Sequence, residues 1–384
     1  MHEHLRERIG REGPIPFDAF LESALYDPDD GFFGRGGGAG RAGRDFVTSP
    51  EVGTLFGLLV ARGLDGWWRE LGEPDPFVVV DAGAGRGRLA ADVLGAAPRC
   101  APALRYVLVE RTAALRAAQA ELVDLEPADR ALGPAVRADP DEPMIPVAGT
   151  GPLATSIAEL PAVEVEGVVF ANELLDNLPF RLVERSATGW SEVRVGRGDE
   201  ELVEVLVPAP PDVGTEADRV AAGAAVPVGA RLPVPTATVD WLFRCGNLLR
   251  HGLLVVVDYA AEAASLVTRG QETWLRTYRA HERGGSPLAA AGTQDITCEV
   301  PVEHLLAAAR HAGFDLVERT TQAEWLRSVG IDELADTAAA SWRERAGVGD
   351  LEAVAARSRV HEADALTDAA GLGAHHVFVF AKER

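Results

Sequence analysis

Apolar positions in this chain change their period several times, and each change marks an element. Phe77-Val78-Val79-Val80 is a continuous β-branched run, the pattern of a strand buried on both faces. After Arg88 the pattern becomes Ala/Leu-rich and helical. Between them stand Asp81 and glycines at 83, 85 and 87. Strand, tight loop and helix in that order form the opening unit of a doubly wound α/β domain.

Ahead of it, residues 1–76 read as mostly helical. Asp18–Leu25 is a short amphipathic helix that Tyr26-Asp27-Pro28 ends, because a residue before proline avoids helical angles. Ser49 is placed to cap a helix with Pro50 at its first position, and apolar spacing continues through Leu55, Leu58, Leu59 and Leu64. Downstream, Arg105–Glu110 is a second strand and Thr112–Leu125 a helix. A third strand is expected within the Pro/Asp-rich connection 126–150. Gly167–Ala171 is a fourth strand. Three alternating runs at 182–185, 190–195 and 202–207 read as antiparallel strands, followed by a Pro/Ala/Gly linker to about residue 235. Val239–His251 should be a helix closed by Gly252, and Leu253–Asp258 a fifth strand. A helix at Pro301–His311 and strands at Phe314–Thr320 and His376–Ala381 complete the pattern. Trp241, Trp274 and Trp325 fall at apolar spacing and are assigned to the core. The expected division is a helical extension (1–76), a first Rossmann-like half (77–180), an inserted β-rich segment (181–235), and the second half of the sheet with C-terminal helices (236–384).

The glycine spacing bears on the ligand. Gly-x-Gly-x-x-Gly, the dinucleotide form, would need glycine at 88, where Arg88 stands. Asp81-x-Gly83-x-Gly85-x-Gly87 instead resembles the first motif of class I S-adenosylmethionine (SAM) methyltransferases. An acid at the strand end can receive the ammonium of a methionine moiety, whereas it would repel a pyrophosphate. Glu110, about 20–25 residues beyond the loop at the end of the second strand, is suited to a ribose diol.

Charge and cysteine content narrow the setting. The net charge of −22 argues against a nucleic-acid backbone or an anionic membrane as partner. Cys100, Cys245 and Cys298 are scattered, without metal spacing, so neither a disulfide framework nor a metal site is expected. The first residues lack an apolar signal core and a basic, acid-free presequence, which reads as a cytoplasmic protein.

Longer blocks carry a more specific resemblance. Residues 13–33, 45–57, 79–94, 109–122, 168–180, 253–259, 276–297 and 320–331 are similar, in order, to the MidA-like family of SAM-dependent methyltransferases of bacteria and mitochondria. The blocks Asp45–Glu51, Ala171–Pro179 and Gly292–Thr297 are its family-specific parts. The resemblance implies a seven-stranded class I sheet with an antiparallel last strand, SAM as cofactor, and a protein substrate. The mitochondrial member methylates an arginine of a respiratory complex I subunit. The chain departs from the family at Phe32-Phe33, Arg44, Ala260 and Glu299. Its oligomeric state is open, with a dimer among the alternatives.

Methyl transfer needs an aligned nucleophile, excluded water and a proton acceptor. In such sheets the ligands lie beyond the carboxyl ends of the strands. Asp81, Gly83, Gly85, Gly87, Glu110 and Asn172 are therefore assigned to the cofactor. Glu173 and Asp176, three residues apart, would share one face if the segment turns helical, and two carboxylates there could hold a guanidinium and take its proton. A second reading makes them acids favoured at a helix N-terminus by the macrodipole. Asp295 is a third catalytic candidate, as a loop acid; an Asx turn would explain it equally. His281 is a weaker candidate. Small-molecule methylation, or a SAM-binding assembly factor without turnover, are the rival functions. The Gly34–Gly43 segment, rich in glycine, is expected to be a flexible lid.

Overall fold

The structure, a computed structural model, describes residues 1–37, 48–133, 149–279 and 282–383. Arg44, His281 and most of the expected lid lie outside the described residues. The chain begins with α1 (His2–Glu12) and α2 (Phe17–Tyr26), and after Thr48 continues with α3 (Ser49–Val52) and α4 (Thr54–Glu70). The helix expected to run on from a Ser49 cap is in fact broken at Gly53. Thr48 occupies the cap position and Ser49 is the first helical residue, fully buried. An added Cβ at Gly53 would lie 2.2 Å from the Glu362 carboxyl carbon, so a side chain from the far end of the chain fills the break.

Then come β1 (Phe77–Ala82), α5 (Arg88–Gly95), β2 (Leu104–Val109), α6 (Ala113–Gln119), β3 (Leu153–Ile157) and β4 (Val165–Asn172). The third strand falls after the stretch 126–150 expected to hold it, because Leu153-Ala-Thr-Ser-Ile157 mixes polar residues into its run at the sheet edge and hides the strand pattern. The helix after Glu110 stops at Gln119, whose side chain turns inward and bonds the glycine loop.

The inserted segment forms β5 (Arg181–Ser186), β6 (Gly189–Arg197), β7 (Leu202–Pro208) and β8 (Arg231–Val234), with α7 (Pro211–Ala221) between the last two. That helix replaces the expected linker. Its proline start drew attention away from a helical stripe, Val213, Ala217, Val220 and Ala221, all buried. Ile15 and Pro16 pair antiparallel with Val195 and Arg194 of β6, so the N-terminal segment adds an edge to this small sheet.

The second half contains α8 (Thr236–Leu248), β9 (Leu249–Asp258), β10 (Leu275–Arg279), β11 (Asp295–Cys298), α9 (Val302–His311), β12 (Asp315–Thr321), α10 (Gln322–Ser328), α11 (Ile331–Arg345), α12 (Leu351–Thr367) and β13 (His376–Lys382). Gly252 closes no helix; it lies inside β9. Gly167 and Gly252 are register partners, and a Cβ on Gly252 would sit 2.0 Å from the Gly167 carbonyl oxygen. Backbones approach closely there, which glycine alone permits.

The large sheet has the order β12-β13-β9-β4-β1-β2-β3. Neighbours from β9 to β3 run parallel, and β13 is antiparallel to both β9 and β12, as the resemblance implies. Alternate residues supply two cores. Val79, Phe170 and Val255 face α4 and Trp325, which stacks on Trp67; Val80, Val169 and Val256 face α8 and α9. A third core joins α1 and α2 to the inserted sheet and to Trp274, Leu275 and Ile296. All three tryptophans assigned to the core are buried. Among the described residues no helix is long and apolar enough to cross a membrane.

Candidate active site

A cleft of about 1190 Å³ opens beyond the carboxyl ends of β1, β2, β4 and β9, roofed by α2 and by β10 and β11. That is above the usual span for one small-ligand pocket, roughly 300–1,000 Å³, so a cofactor and an acceptor group can share it.

At one end, β1 delivers Asp81 and the chain turns through Gly83, Gly85 and Gly87, with φ of 76°, 53° and 83°. The amides of Gly83 and Ala84 donate to the Val109 carbonyl at 2.9 and 3.0 Å, tying the loop to β2. A Cβ on Gly85 would meet nothing within 4 Å, so the loop backbone is bare toward the cleft. Glu110 holds the loop: its carboxylate accepts from Gly85 N at 3.1 Å and Thr112 N at 2.8 Å. Gln119 donates to the Gly85 carbonyl at 2.8 Å. Burial pushes the Glu110 carboxyl up, against the pull of those two amides. A carboxylate offers about four lone-pair directions, so Glu110 keeps acceptor capacity for a diol. Asp81 is buried, accepts from the Tyr106 hydroxyl at 3.1 Å, and is pushed up to about 7 by desolvation. An arriving ammonium would favour its charged form. These donors and acceptors fit a methionine-bearing nucleoside.

At the other end, β4 delivers Asn172 and then Glu173, whose φ is 51°. No α-helix follows. Leu175–Asn177 is a single 3-10 turn, so the macrodipole reading has no helix to rest on, and Glu173 and Asp176 are brought to one wall by the left-handed residue instead. A left-handed non-glycine residue costs of order 1–3 kcal/mol and is found where surroundings over-determine it. Here they do. Glu173 N–H donates to Val257 O at 2.8 Å, and its Oε1 accepts from Ser49 N and Asn172 Nδ2, both at 3.1 Å. Asp258 holds the turn, accepting from Leu175 N at 2.8 Å, Asp176 N at 3.4 Å and Tyr259 N at 2.8 Å. Its carboxylate is spent on the backbone, which makes it a positioning residue.

Desolvation pushes Glu173 up to about 8 and Asp176 to about 7, and burial lifts Asp258 well above the carboxylate range. Asp176 adds repulsion to Glu173, as it does to Asp258. Asn172 Oδ1 and Asp176 Oδ1 are buried without a hydrogen-bond partner, on residues that line the cleft. Among the described residues no group of three or more His, Cys, Asp or Glu side chains is set to hold a metal ion.

Asp295 is not in a loop. It opens β11, fully buried, and accepts from Asn177 Nδ2 at 2.9 Å, which pins the 3-10 turn. Arg276 and Tyr278 of β10 pair in register with Thr297 and Asp295, and all four line the cleft. Tyr26 of α2 donates to the Asn177 carbonyl at 3.0 Å, and the Arg111 guanidinium lies 4.0 Å from its ring centre. Sequence reasoning passed over Tyr26, Arg276 and Tyr278, although the alternation Arg276, Tyr278 in a family-matching block was the available signal.

A profile described as S-adenosyl-L-methionine-dependent methyltransferase matches residues 59–320. The chain belongs to that family. A crystal structure of a relative from Burkholderia thailandensis, bound to S-adenosyl-homocysteine, superposes with a TM-score of 0.78 at 28% identity, covering 99% of this chain and 91% of that one. The chain is also similar to protein arginine methyltransferase NDUFAF7, mitochondrial, from Bos taurus: 27% identical over 326 residues, 79% of this chain and 68% of that protein. The Drosophila melanogaster homologue is 44% identical, over 92 residues that span 24% of this chain and 21% of that protein. The methyltransferase thus takes SAM as cofactor on a Rossmann-like seven-stranded sheet. The cytoplasmic setting expected from the first residues is corrected by this comparison, because these relatives are named as mitochondrial proteins.

Proposed function

We propose that this methyltransferase modifies an arginine side chain of a protein. The observation that carries the reading is the pair of unpartnered buried acceptors, Asn172 Oδ1 and Asp176 Oδ1, beside Glu173. An unpaired buried acceptor costs about 1–3 kcal/mol, so a site that keeps two awaits donors. A guanidinium supplies five N–H groups in one plane, and its charge would draw the raised Glu173 and Asp176 back toward ionisation. The relatives named as arginine methyltransferases support the same substrate class.

SAM, held by Asp81, the glycine loop and Glu110, would supply the methyl group from a sulfonium, whose carbon–sulfur bond breaks to leave a neutral thioether. Asp176 and Asn172 orient the guanidinium, and Glu173 accepts the proton that the nitrogen loses as its new bond to carbon forms. Tyr26 and the walls from β10 and β11 keep water from the acceptor. We assign Asp295 a part in holding this wall through Asn177. The experiment is transfer from methyl-labelled SAM into a lysate, followed by residue analysis. Label on protein arginine supports the reading. Label only in small molecules, or in no fraction while SAM still binds, overturns it in favour of a small-molecule enzyme or a binding factor.

A further inference from the structure

The Glu173 carboxylate is tied to a segment far from the sheet's strand ends. Its Oε1 accepts from the Ser49 amide at 3.1 Å; the Ser49 hydroxyl donates to Gln322 Oε1 at 2.9 Å; Gln322 Nε2 donates to the Leu366 carbonyl at 3.1 Å. Ser49 and Gln322 are both fully buried, and Ser49, Gln322 and Leu366 lie outside the residues the family profile matches. Gln322 is fixed along its backbone too, since its N–H donates to the His375 carbonyl at 2.7 Å. The His375 ring in turn packs edge-on against Tyr259, centroids 3.9 Å apart, and Tyr259 lines the cleft.

We propose that Gln322 is a positioning residue that, through Ser49, aims the Glu173 carboxylate at the acceptor group. This rests on the role given to Glu173 above. The argument is one of satisfied valence. Ser49 sits in the first turn of α3, a helix too short to hold its own amide in place. Its buried hydroxyl donates to Gln322, whose side-chain amide donates in turn to the Leu366 carbonyl of α12. Gln322 is the bond through which the C-terminal helices reach Glu173, which explains why a polar side chain is kept in full burial beside Trp325 and Leu326.

The same link sets the charge of Glu173. The groups facing it are Asp176 from the 3-10 turn and Asp258 and Tyr259 from the end of β9, none of them cationic. Among the described residues, the Ser49 amide and the Asn172 amide are what favour its ionised form. A hydrogen bond to the charged form lowers a carboxyl's pKa, so slackening the Ser49 amide raises it.

The test is an infrared titration of the protonated-carboxyl band that Glu173→Gln removes, read without substrate in the full chain. In Gln322→Met, which keeps the volume and removes both side-chain bonds, the midpoint of that band should move up by about one pH unit, with SAM affinity unchanged. Ser49→Ala keeps the amide but frees it from Gln322, and should move the midpoint the same way by less. It carries the test if Gln322→Met does not fold. A midpoint equal to wild type in a folded variant overturns the inference. Glu173→Gln that still transfers methyl groups would instead overturn the role of Glu173, while the titration would still report whether Gln322 controls that carboxyl.

Discussion

The cofactor end of the cleft is assembled from residues 81 to 119, whereas the acceptor end gathers Tyr26, Ser49, Asn172–Asn177, Asp258 and residues 276–297. At the first end, loop and carboxylate hold each other, with Glu110 and Gln119 bonding the Gly85 amide and carbonyl. At the second, the acids are held from outside by Ser49, Asn177 and backbone amides, while two acceptors stay unpaired. The difference teaches how one fold separates tasks. A compact local motif forms the end proposed for the cofactor, and distant segments converge on the end proposed for the acceptor.

Removing the charge at Glu173 should have the largest effect on that division. Glu173→Gln is expected to lower transfer by about 10²–10⁴-fold, the range for a lost general base, while calorimetry with SAM gives the wild-type affinity. Next comes Glu110→Ala, which takes the partner from two amides as well as from the ribose it is proposed to bind. SAM binding should weaken by roughly 1–3 kcal/mol, or about 5- to 150-fold in Kd, and transfer should recover when SAM is raised to saturation.

A pH dependence of stability sharpens the contrast further. Glu173 titrates near 8 in the fold against an ordinary 4.5, so the unfolded chain gives up its proton first as pH rises. The stability this group contributes is full below pH 4.5 and is lost as pH climbs toward 8. The thermal midpoint of the cofactor-free protein should fall across that window, and fall less in Glu173→Gln. The smallest expected effect is at the seam. Tyr26→Phe removes the hydroxyl bond to Asn177 O, costing about 0.5–1.5 kcal/mol in acceptor binding, read as a rise in the acceptor's KM with SAM affinity unmoved.

The same contrast decides how much the sequence disclosed. Asp81, Gly83, Gly85 and Gly87 lie within seven positions, and Glu110 ends the neighbouring strand, so local pattern suffices to find them. The strands were found from the alternation of apolar runs with helical stretches, whereas their arrangement in one seven-stranded sheet with an antiparallel last strand came from the family resemblance. Glu173 and Asp176 were visible as acids past a strand, but the left-handed φ that places them depends on Val257 and Asp258 of another strand. Ser49 and Gln322 are 273 residues apart, and nothing in either neighbourhood announces the bond. Gly252 showed the opposite failure. A glycine after an apolar stretch is locally a helix stop, and only the packing of β9 against β4 makes it a strand residue.

The most direct test of the separation is a paired measurement on Glu173→Gln and Glu110→Ala: SAM affinity by calorimetry and methyl transfer at saturating SAM. The two-part cleft predicts that Glu173→Gln binds SAM as wild type and transfers about 10²–10⁴-fold more slowly, while Glu110→Ala binds SAM weakly and transfers once saturated. Loss of SAM binding in Glu173→Gln, or full turnover in it, would contradict the account.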